Sequence, residues 1–174
     1  DGGLVSSELL KYPKYFGSSE ENVVLLNDTK GSSYTAIANL QSRDLKSPNS
    51  YTSIKPTYEL GANDTITVFL TGDTNDNYTI TKSYTFTKNS HLIKVDQVVK
   101  NNSPIDAEWR QYNTISRGDE TEGNIMLYTY TGAAYFDTDD NFNKIDFSDI
   151  ADGSFQKETK TSWISMIQHY FFTA

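Results

Sequence analysis

The sequence predicts an all-β fold, a sandwich or a barrel, and three observations support this class. Apolar and polar residues alternate with a period of two through most of residues 23–135, which is the spacing of strands with one buried face. Aromatic residues make up 13% of the chain and accompany many threonines, and both residue types favour strands. Clusters of Gly, Asn and Asp separate the alternating runs, as turns separate short strands.

The strands are expected in pairs along the chain. The runs "NVVLLN" and "SYTAIANL" form an early pair around "DTKGS". The run "TITVFLT" places Ile66, Val68 and Leu70 on one face, and "NYTITKSYTFT" repeats the alternation. Because the turn formers "GDTNDN" lie between these two runs, they are predicted to be a hairpin. Further strands are expected at "HLIKVDQVVK", "EWRQYNTIS" and "NIMLYTYTG", which brings the number to seven or more.

The last fifth of the chain changes character. The acidic, turn-rich stretch "DTDDNFNKIDFSDIADGSF" is followed by "TSWISMIQHYFFTA", where apolar residues recur at the spacing of a helix. Thr161 or Ser162 can cap its start, and Ile164 and Phe172 widen the apolar band. We therefore predict an amphipathic helix over residues 161–174, joined to a β-domain over residues 1–160. The main stripe of this helix consists of Trp163, Met166, Ile167, Tyr170 and Phe171.

Composition excludes several classes of function. A chain of 174 residues is expected to form one domain with a sizeable core. Its formal net charge is -8 and its basic residues are scattered, so nucleic acid and, on average, anionic lipid would repel it. Cysteine is absent, which excludes disulfides and thiol chemistry. The longest apolar stretch has about a dozen residues, whereas a membrane span needs roughly twenty.

Catalytic and metal-binding patterns are not found. The two histidines, His91 and His169, lie far apart in the sequence and match no ligand spacing. Asp137, Asp139 and Asn141 match the first ligand positions of a calcium loop, but the required Gly and final Glu are missing. Nucleophile elbows and phosphate-binding glycine loops do not occur. We therefore expect no enzyme activity, no metal and no cofactor.

Three motifs follow one another in the last fifty residues. They are Gly-Ala-Ala-Tyr at 132–135, then Lys144 with Phe147 and Ile150, then Trp-x-x-Met-x-Gln-x-Tyr-Phe from Trp163. In this order they resemble the periplasmic domain of the YidC/Oxa/Alb family of bacterial inner-membrane insertases. The opening "GGLVSSELLKYPKYF" is similar to the start of that domain, more loosely. The family's Gly-Gly before the tryptophan is Thr-Ser in this sequence.

The resemblance implies a fold, a location and partners. The fold would be a β-supersandwich of two large antiparallel sheets, similar to galactose mutarotases, with the terminal helix leading toward a membrane span. The domain would lie on the periplasmic face of the inner membrane, as a chaperone-like scaffold for the insertion and folding of membrane proteins. Implied partners are the Sec translocon with its accessory subunits, nascent inner-membrane proteins and the transmembrane core of the same protein. The expected interaction surface is the membrane-proximal helix with Trp163, Ile164, Met166, Ile167, Tyr170, Phe171 and Phe172.

A second class of protein fits the residues as well. A secreted carbohydrate-binding or sugar-processing β-sandwich would use exposed Tyr and Trp side chains to stack on pyranose rings. Flanking sequence distinguishes the two classes. Hydrophobic spans on both sides indicate the insertase, and a cleavable signal peptide indicates the carbohydrate protein.

Overall fold

A computed structural model describes residues 2–17, 21–29, 32–74, 77–118, 130–151, 153–167 and 171–174. Within these ranges the chain is almost entirely β-structure, with one short helix. The elements are β1 Ser7–Pro13, β2 Asn22–Thr29, β3 Ser32–Ser42, β4 Thr52–Ser53, β5 Thr65–Asp73, β6 Tyr78–Thr87, β7 Ile93–Asn101, β8 Trp109–Arg117, β9 Gly132–Asp137, β10 Asn141–Ile145, α1 Phe147–Ala151, β11 Ser162–Ile167 and β12 Phe172–Thr173.

The described strands form three four-stranded sheets. The first has the order β1-β2-β3-β8, the second β4-β5-β6-β7 and the third β10-β9-β11-β12. Pairings along these sheets are antiparallel, including β5 with β6 and β9 with β11. The predicted all-β class with antiparallel sheets is therefore confirmed, and the sandwich is consistent with it. The strand expected at 124–132 lies mostly outside the described residues, and β9 begins at its end.

The chain divides into two compact units. Unit 1 comprises Asp1–Gly3 and Ile37–Thr114, and unit 2 comprises Leu4–Ala36 and Ile115–Ala174. The boundaries fall within β3 and within β8, so each of these strands contributes residues to both units. The assignment of residues 1–160 to one sandwich stays a prediction.

In unit 1, the second sheet has the predicted hairpin at its centre. β5 and β6 pair without interruption from Thr65↔Thr87 to Asp73↔Thr79, and β7 continues the sheet on the other side of β6. Asn77 begins the return strand with a φ of 62°, a left-handed conformation that Asn tolerates better than most residues. Along β6 every second side chain is buried, as the alternation predicts.

In unit 2, the core lies between the first and third sheets. Leu26 of β2 and Tyr34 of β3 pack with Ala133 of β9 and Met166 of β11. Tyr34 donates a hydrogen bond from its hydroxyl to the carbonyl oxygen of Met166, at 3.4 Å. Burial raises the pKa of that tyrosine and keeps its hydroxyl protonated as a donor. Side chains from two sheets thus share one core, which is the arrangement of a sandwich.

The helix predicted over residues 161–174 is wrong. The structure has strands there, β11 and β12, and residues 168–170 lie outside the described ranges. The physical reason is pairing across the fold: β11 lies between β9 and β12, with six register pairs to β9 alone. A short run rich in aromatic and β-branched residues can form a helix or a strand, and pairing with strands elsewhere in the sequence determines which one forms.

The only helix among the described residues is α1, with five residues. It lies in the acidic stretch that follows β10. No described helix has the length and apolarity needed to cross a membrane.

Candidate interaction surface

The residues proposed for the terminal helix divide between the two faces of the third sheet. Successive side chains of a strand point to opposite faces, so the single stripe expected of a helix does not form. Trp163 and Ile167 lie on the face that carries Phe136 of β9. Met166 lies on the opposite face, where it is 7% exposed and packs in the core. Ile164 shares that inner face and is half-buried.

The remaining residues of that set lie in or next to β12. Phe172 pairs with Ile167 and is 68% exposed. Phe171 contacts Tyr12 of β1 edge-to-face, with ring centroids 5.6 Å apart. Tyr170 lies outside the described residues, as does Gln168 of the same motif.

Three aromatic side chains on adjacent strands form what we call the aromatic row: Phe142, Phe136 and Trp163. Phe136 pairs with Phe142 across β10 and with Trp163 across β11, so all three lie on the same face. The rings of Phe136 and Trp163 are nearly parallel, at 12°, with centroids 6.1 Å apart. Phe142 is 51% exposed and Trp163 is 43% exposed. Two of its three side chains are thus partly exposed on a sheet face, where large apolar side chains are less common than polar ones.

The Gly-Ala-Ala-Tyr motif has a structural explanation at this sheet. A Cβ on Gly132 would lie 2.5 Å from the hydroxyl of Tyr130. That hydroxyl lies 2.8 Å and 2.9 Å from the carbonyl oxygens of Ala133 and Ile145, either of which can accept its one proton. Ala133 and the alanine that follows it are both buried. Tyr135 stacks on Phe155 with centroids 4.9 Å apart. The motif therefore builds the sheet that carries the aromatic row.

The carboxylate of Asp137 has partners within the protein. Its side chain is fully buried, and one oxygen accepts the backbone N–H groups of Asp139 and Asp140 at 2.8 and 2.7 Å. The other oxygen lies 2.6 Å from Nζ of Lys157, which also forms an ion pair with Asp140. The backbone N–H of Asp140 and then Lys157 hold the pKa of Asp137 below its usual value. The ammonium of Lys157 thus neutralises the acidic connection between β9 and β10, which contains the residues that match the start of a calcium loop.

The sheet face beside the aromatic row carries a cation. Lys144 lies on the same face as Phe142, two residues further along β10, with its Nζ 4.5 Å from the ring centroid of Tyr130. In the family motif this lysine precedes Phe147 and Ile150, which pack against the core of unit 2. The motif thus combines two core contacts with one surface charge.

A buried lysine in unit 1 was missed by the sequence reasoning. Lys82 of β6 is 0% exposed and donates a hydrogen bond to Oδ1 of Asn39 at 2.9 Å. Its ammonium lies 5.0 Å from the ring centroid of Tyr51. Burial lowers the pKa of Lys82 to about 8. The signal was present in the sequence, because Lys82 occupies a core-face position between Ile80 and Tyr84 in the alternation.

The histidines give no sign of a metal site. His91 is exposed before β7, and His169 lies outside the described residues. In the part of the chain that the structure describes, no three His, Asp or Glu side chains are grouped as metal ligands. The absence of metals and cofactors stays a prediction.

The sheets and their shared core define an antiparallel all-β domain consistent with the sandwich class, with an exposed aromatic row on one sheet. Comparison with known proteins gives its family: the chain belongs to the YidC periplasmic domain family, whose model matches residues 1–174. The resemblance carried by the three sequence motifs is confirmed.

Several relatives share this domain across its full length. Proteins named membrane protein insertase YidC are 32% identical in Saccharophagus degradans, 32% in Shewanella piezotolerans and 33% in Thioalkalivibrio sulfidiphilus. Each alignment covers 99% of this chain. The chain spans about a third of the length of these curated relatives: 32%, 33% and 33%, in the same order.

Proposed function

We propose that this domain is a non-enzymatic interaction and scaffold domain of a membrane protein insertase, on the periplasmic face of the inner membrane. The observation that carries the proposal is the family match over residues 1–174. The relatives that share this domain are named membrane protein insertases. In this proposal the domain binds other proteins, and insertion takes place in parts of the protein beyond this chain.

The aromatic row is the proposed protein-binding surface. Tryptophan and other large aromatic side chains dominate the binding energy of protein interfaces, because they bury much area at little entropic cost. Phe136, Phe142 and Trp163 are fixed by pairing between three strands, so little ordering is needed on binding. Lys144 adds a cation at the edge of the surface, which favours a partner with a nearby carboxylate. We propose apolar segments of nascent inner-membrane proteins or of Sec accessory subunits as these partners.

The proposal is tested with a photo-crosslinking residue in the full-length insertase. The residue is placed at position 142, and a matched control is placed at Phe69, an aromatic residue of β5 that is 48% exposed in unit 1. We expect crosslinks to membrane-insertion partners from position 142 and not from position 69. A Phe142→Ser, Trp163→Ser variant should slow growth of an insertase-depleted strain, while Phe69→Ser should not. Equal crosslinking from both positions, with full growth of the double variant, contradicts the proposal.

The carbohydrate-binding alternative would use the same aromatic row. Pyranose rings stack on exposed aromatic faces, and Trp163 would report binding through its fluorescence. Family membership favours the insertase. Saturable quenching of Trp163 by an oligosaccharide, lost in Trp163→Phe, would support the alternative.

The connecting role predicted for residues 161–174 remains a proposal, now with strands in place of a helix. Deleting this segment would remove β11 from the interior of the third sheet, so a deletion cannot separate connection from folding. A point substitution at the exposed Phe172 separates them, because its side chain is largely outside the core. Loss of insertion by Phe172→Ser with an unchanged melting temperature would support the connector.

A further inference from the structure

We infer that the β1–β2 hairpin docks on the surface of a phospholipid bilayer through what we call the hairpin tip: Leu10, Tyr12, Tyr15 and Phe16 with Lys11 and Lys14. The inference rests on the proposed function for the presence of a membrane beside the domain. It assigns the lipid contact to a surface that is separate in sequence from the aromatic row.

The hairpin tip exposes large apolar side chains in one short stretch. Leu10 is 77% exposed, Tyr15 is 60% exposed and Phe16 is 109% exposed, so no part of the described chain covers the phenylalanine. Tyr12 is 42% exposed as well. Single exposed apolar residues are ordinary on protein surfaces, but four within seven residues form a patch that indicates a partner.

The backbone holds these side chains at the end of a paired hairpin. The β1–β2 ladder has register shifts between Ser7 and Glu8 and between Leu9 and Pro13, so Leu10 and Tyr12 lie in an irregular part of β1. The ladder ends at Pro13↔Asn22, and the N–H of Lys14 donates to the carbonyl oxygen of Glu21 at 2.9 Å. Tyr15 and Phe16 follow directly after this last bond. Gly17 then turns the chain with a φ of 77°, a conformation that glycine adopts without strain. The two aromatic residues are thus presented at the tip.

The stretch is basic over a short length of the sequence. Residues 9–17 contain two lysines and no acidic residue, in a chain with a net charge of -8. Lys14 forms an ion pair with Glu21 at 3.3 Å, and both side chains are more than half exposed. Exposed pairs of this kind contribute little and exchange readily with other anions, such as lipid phosphates. The two lysines of this stretch therefore reduce, at the hairpin tip, the repulsion that the net charge of the chain predicts for anionic lipid.

The chemistry of the hairpin tip favours a bilayer over a protein partner. Tyrosine and phenylalanine with lysine are the side chains that suit the membrane–water interface, where rings enter the boundary and ammonium groups remain in water. Leu10 and Tyr12 lie in β1, and Tyr15 and Phe16 lie in the residues that follow it. The contact between Tyr12 and Phe171 brings β12 to this hairpin, with Phe172 exposed beside it.

Flotation of the 174-residue chain with vesicles tests the inference. On vesicles of phosphatidylethanolamine and phosphatidylglycerol, Tyr15→Ser with Phe16→Ser should lower the bound fraction about tenfold or more, because two interfacial rings are lost. The matched control is Ile54→Ser, which removes an apolar side chain that is 89% exposed in unit 1. Lys11→Gln with Lys14→Gln should weaken binding to these vesicles and leave binding to phosphatidylcholine vesicles unchanged.

Fluorescence then locates the contact. A tryptophan at position 16 should shift its emission to the blue on vesicles and be quenched by brominated lipid, whereas a tryptophan at position 54 should not. Absence of vesicle binding by the unaltered chain, or binding that the Tyr15 and Phe16 substitutions leave unchanged, overturns the inference. Its failure is distinguishable from failure of the proposed function. Lost growth with Phe142→Ser and Trp163→Ser but unaltered flotation with the tip variant overturns the lipid contact alone.

Discussion

Replacing the buried lysine of β6 with an apolar residue of similar length, Lys82→Met, should stabilise the protein near neutral pH. The ammonium of Lys82 is 0% exposed, so the folded state holds its charge away from bulk water. Its pKa falls from 10.5 to about 8 on folding. At about 1.4 kcal/mol per pKa unit this corresponds to at most about 3.5 kcal/mol lost from the free energy of unfolding at neutral pH.

The net gain from the substitution is smaller than this upper value. The hydrogen bond to Asn39 at 2.9 Å and the contact with the ring of Tyr51 are lost with the ammonium. A hydrogen bond contributes about 1 kcal/mol, and screening by polar surroundings reduces the charge term further. We therefore expect Lys82→Met to raise the free energy of unfolding by about 1–2 kcal/mol at neutral pH.

The pH dependence gives the sharper test. Because the folded pKa of Lys82 lies below the unfolded value, the unfolded state binds more protons between about pH 8 and 10.5, and stability of the wild type rises with pH there. The methionine variant lacks this rise, so its advantage should shrink from about pH 7 to about pH 9.5. Urea unfolding at both pH values measures the difference, with Lys100→Met on the exposed side of β7 as the control. An advantage that does not change with pH, or a loss of stability at both, refutes the reasoning.

Three further predictions follow from unit 2. Met166→Ala should lower the free energy of unfolding by about 2–4 kcal/mol because it empties a core position, and Trp163→Ala should lower it by less than half as much. Equal losses in urea unfolding would contradict the strand, because a helix would place both side chains on one buried stripe. Because the pKa of Asp137 is lowered in the folded state, its contribution to the free energy of unfolding is present above pH 3.8 and is lost as pH falls through the folded value. Asp137→Asn should therefore reduce the pH dependence of stability below about pH 4. Calorimetry of the wild type with calcium should show no specific site. Gly132→Ala should lower stability by about 1–3 kcal/mol because its Cβ has no room, whereas Gly153→Ala, with open space around it, should leave the melting temperature unchanged.

Local patterns in the sequence were sufficient for the hairpins. The β5–β6 pair could be predicted because its register is set by one turn and by alternation over neighbouring residues. The same alternation marks Lys82 as a core-face position, so this buried cation could also have been found. Such features need only residues that are close along the chain.

Features that depend on distant pairing could not be predicted in this way. The apolar residues from Trp163 to Phe172 fit a helical period, and only the pairing of β11 with β9, about thirty residues earlier, excludes it. The aromatic row joins Phe136, Phe142 and Trp163 through two registers that no single segment encodes. Family resemblance identified the motifs, but their roles in packing emerged only when the strands were placed side by side.

The position of β11 between β9 and β12 sets an order of events during synthesis. Unit 1 contains a meander, β5-β6-β7, whose contacts are local, so it can form while later residues are still being translated. Unit 2 consists of residues that precede and residues that follow that meander in the sequence. The third sheet, which belongs to unit 2, lacks an interior strand until residues 162–167 have left the ribosome. Until then the edge of β9 that later pairs with β11 has no partner in that sheet. Translation that pauses before this point would therefore leave unit 1 folded and unit 2 open to misassociation.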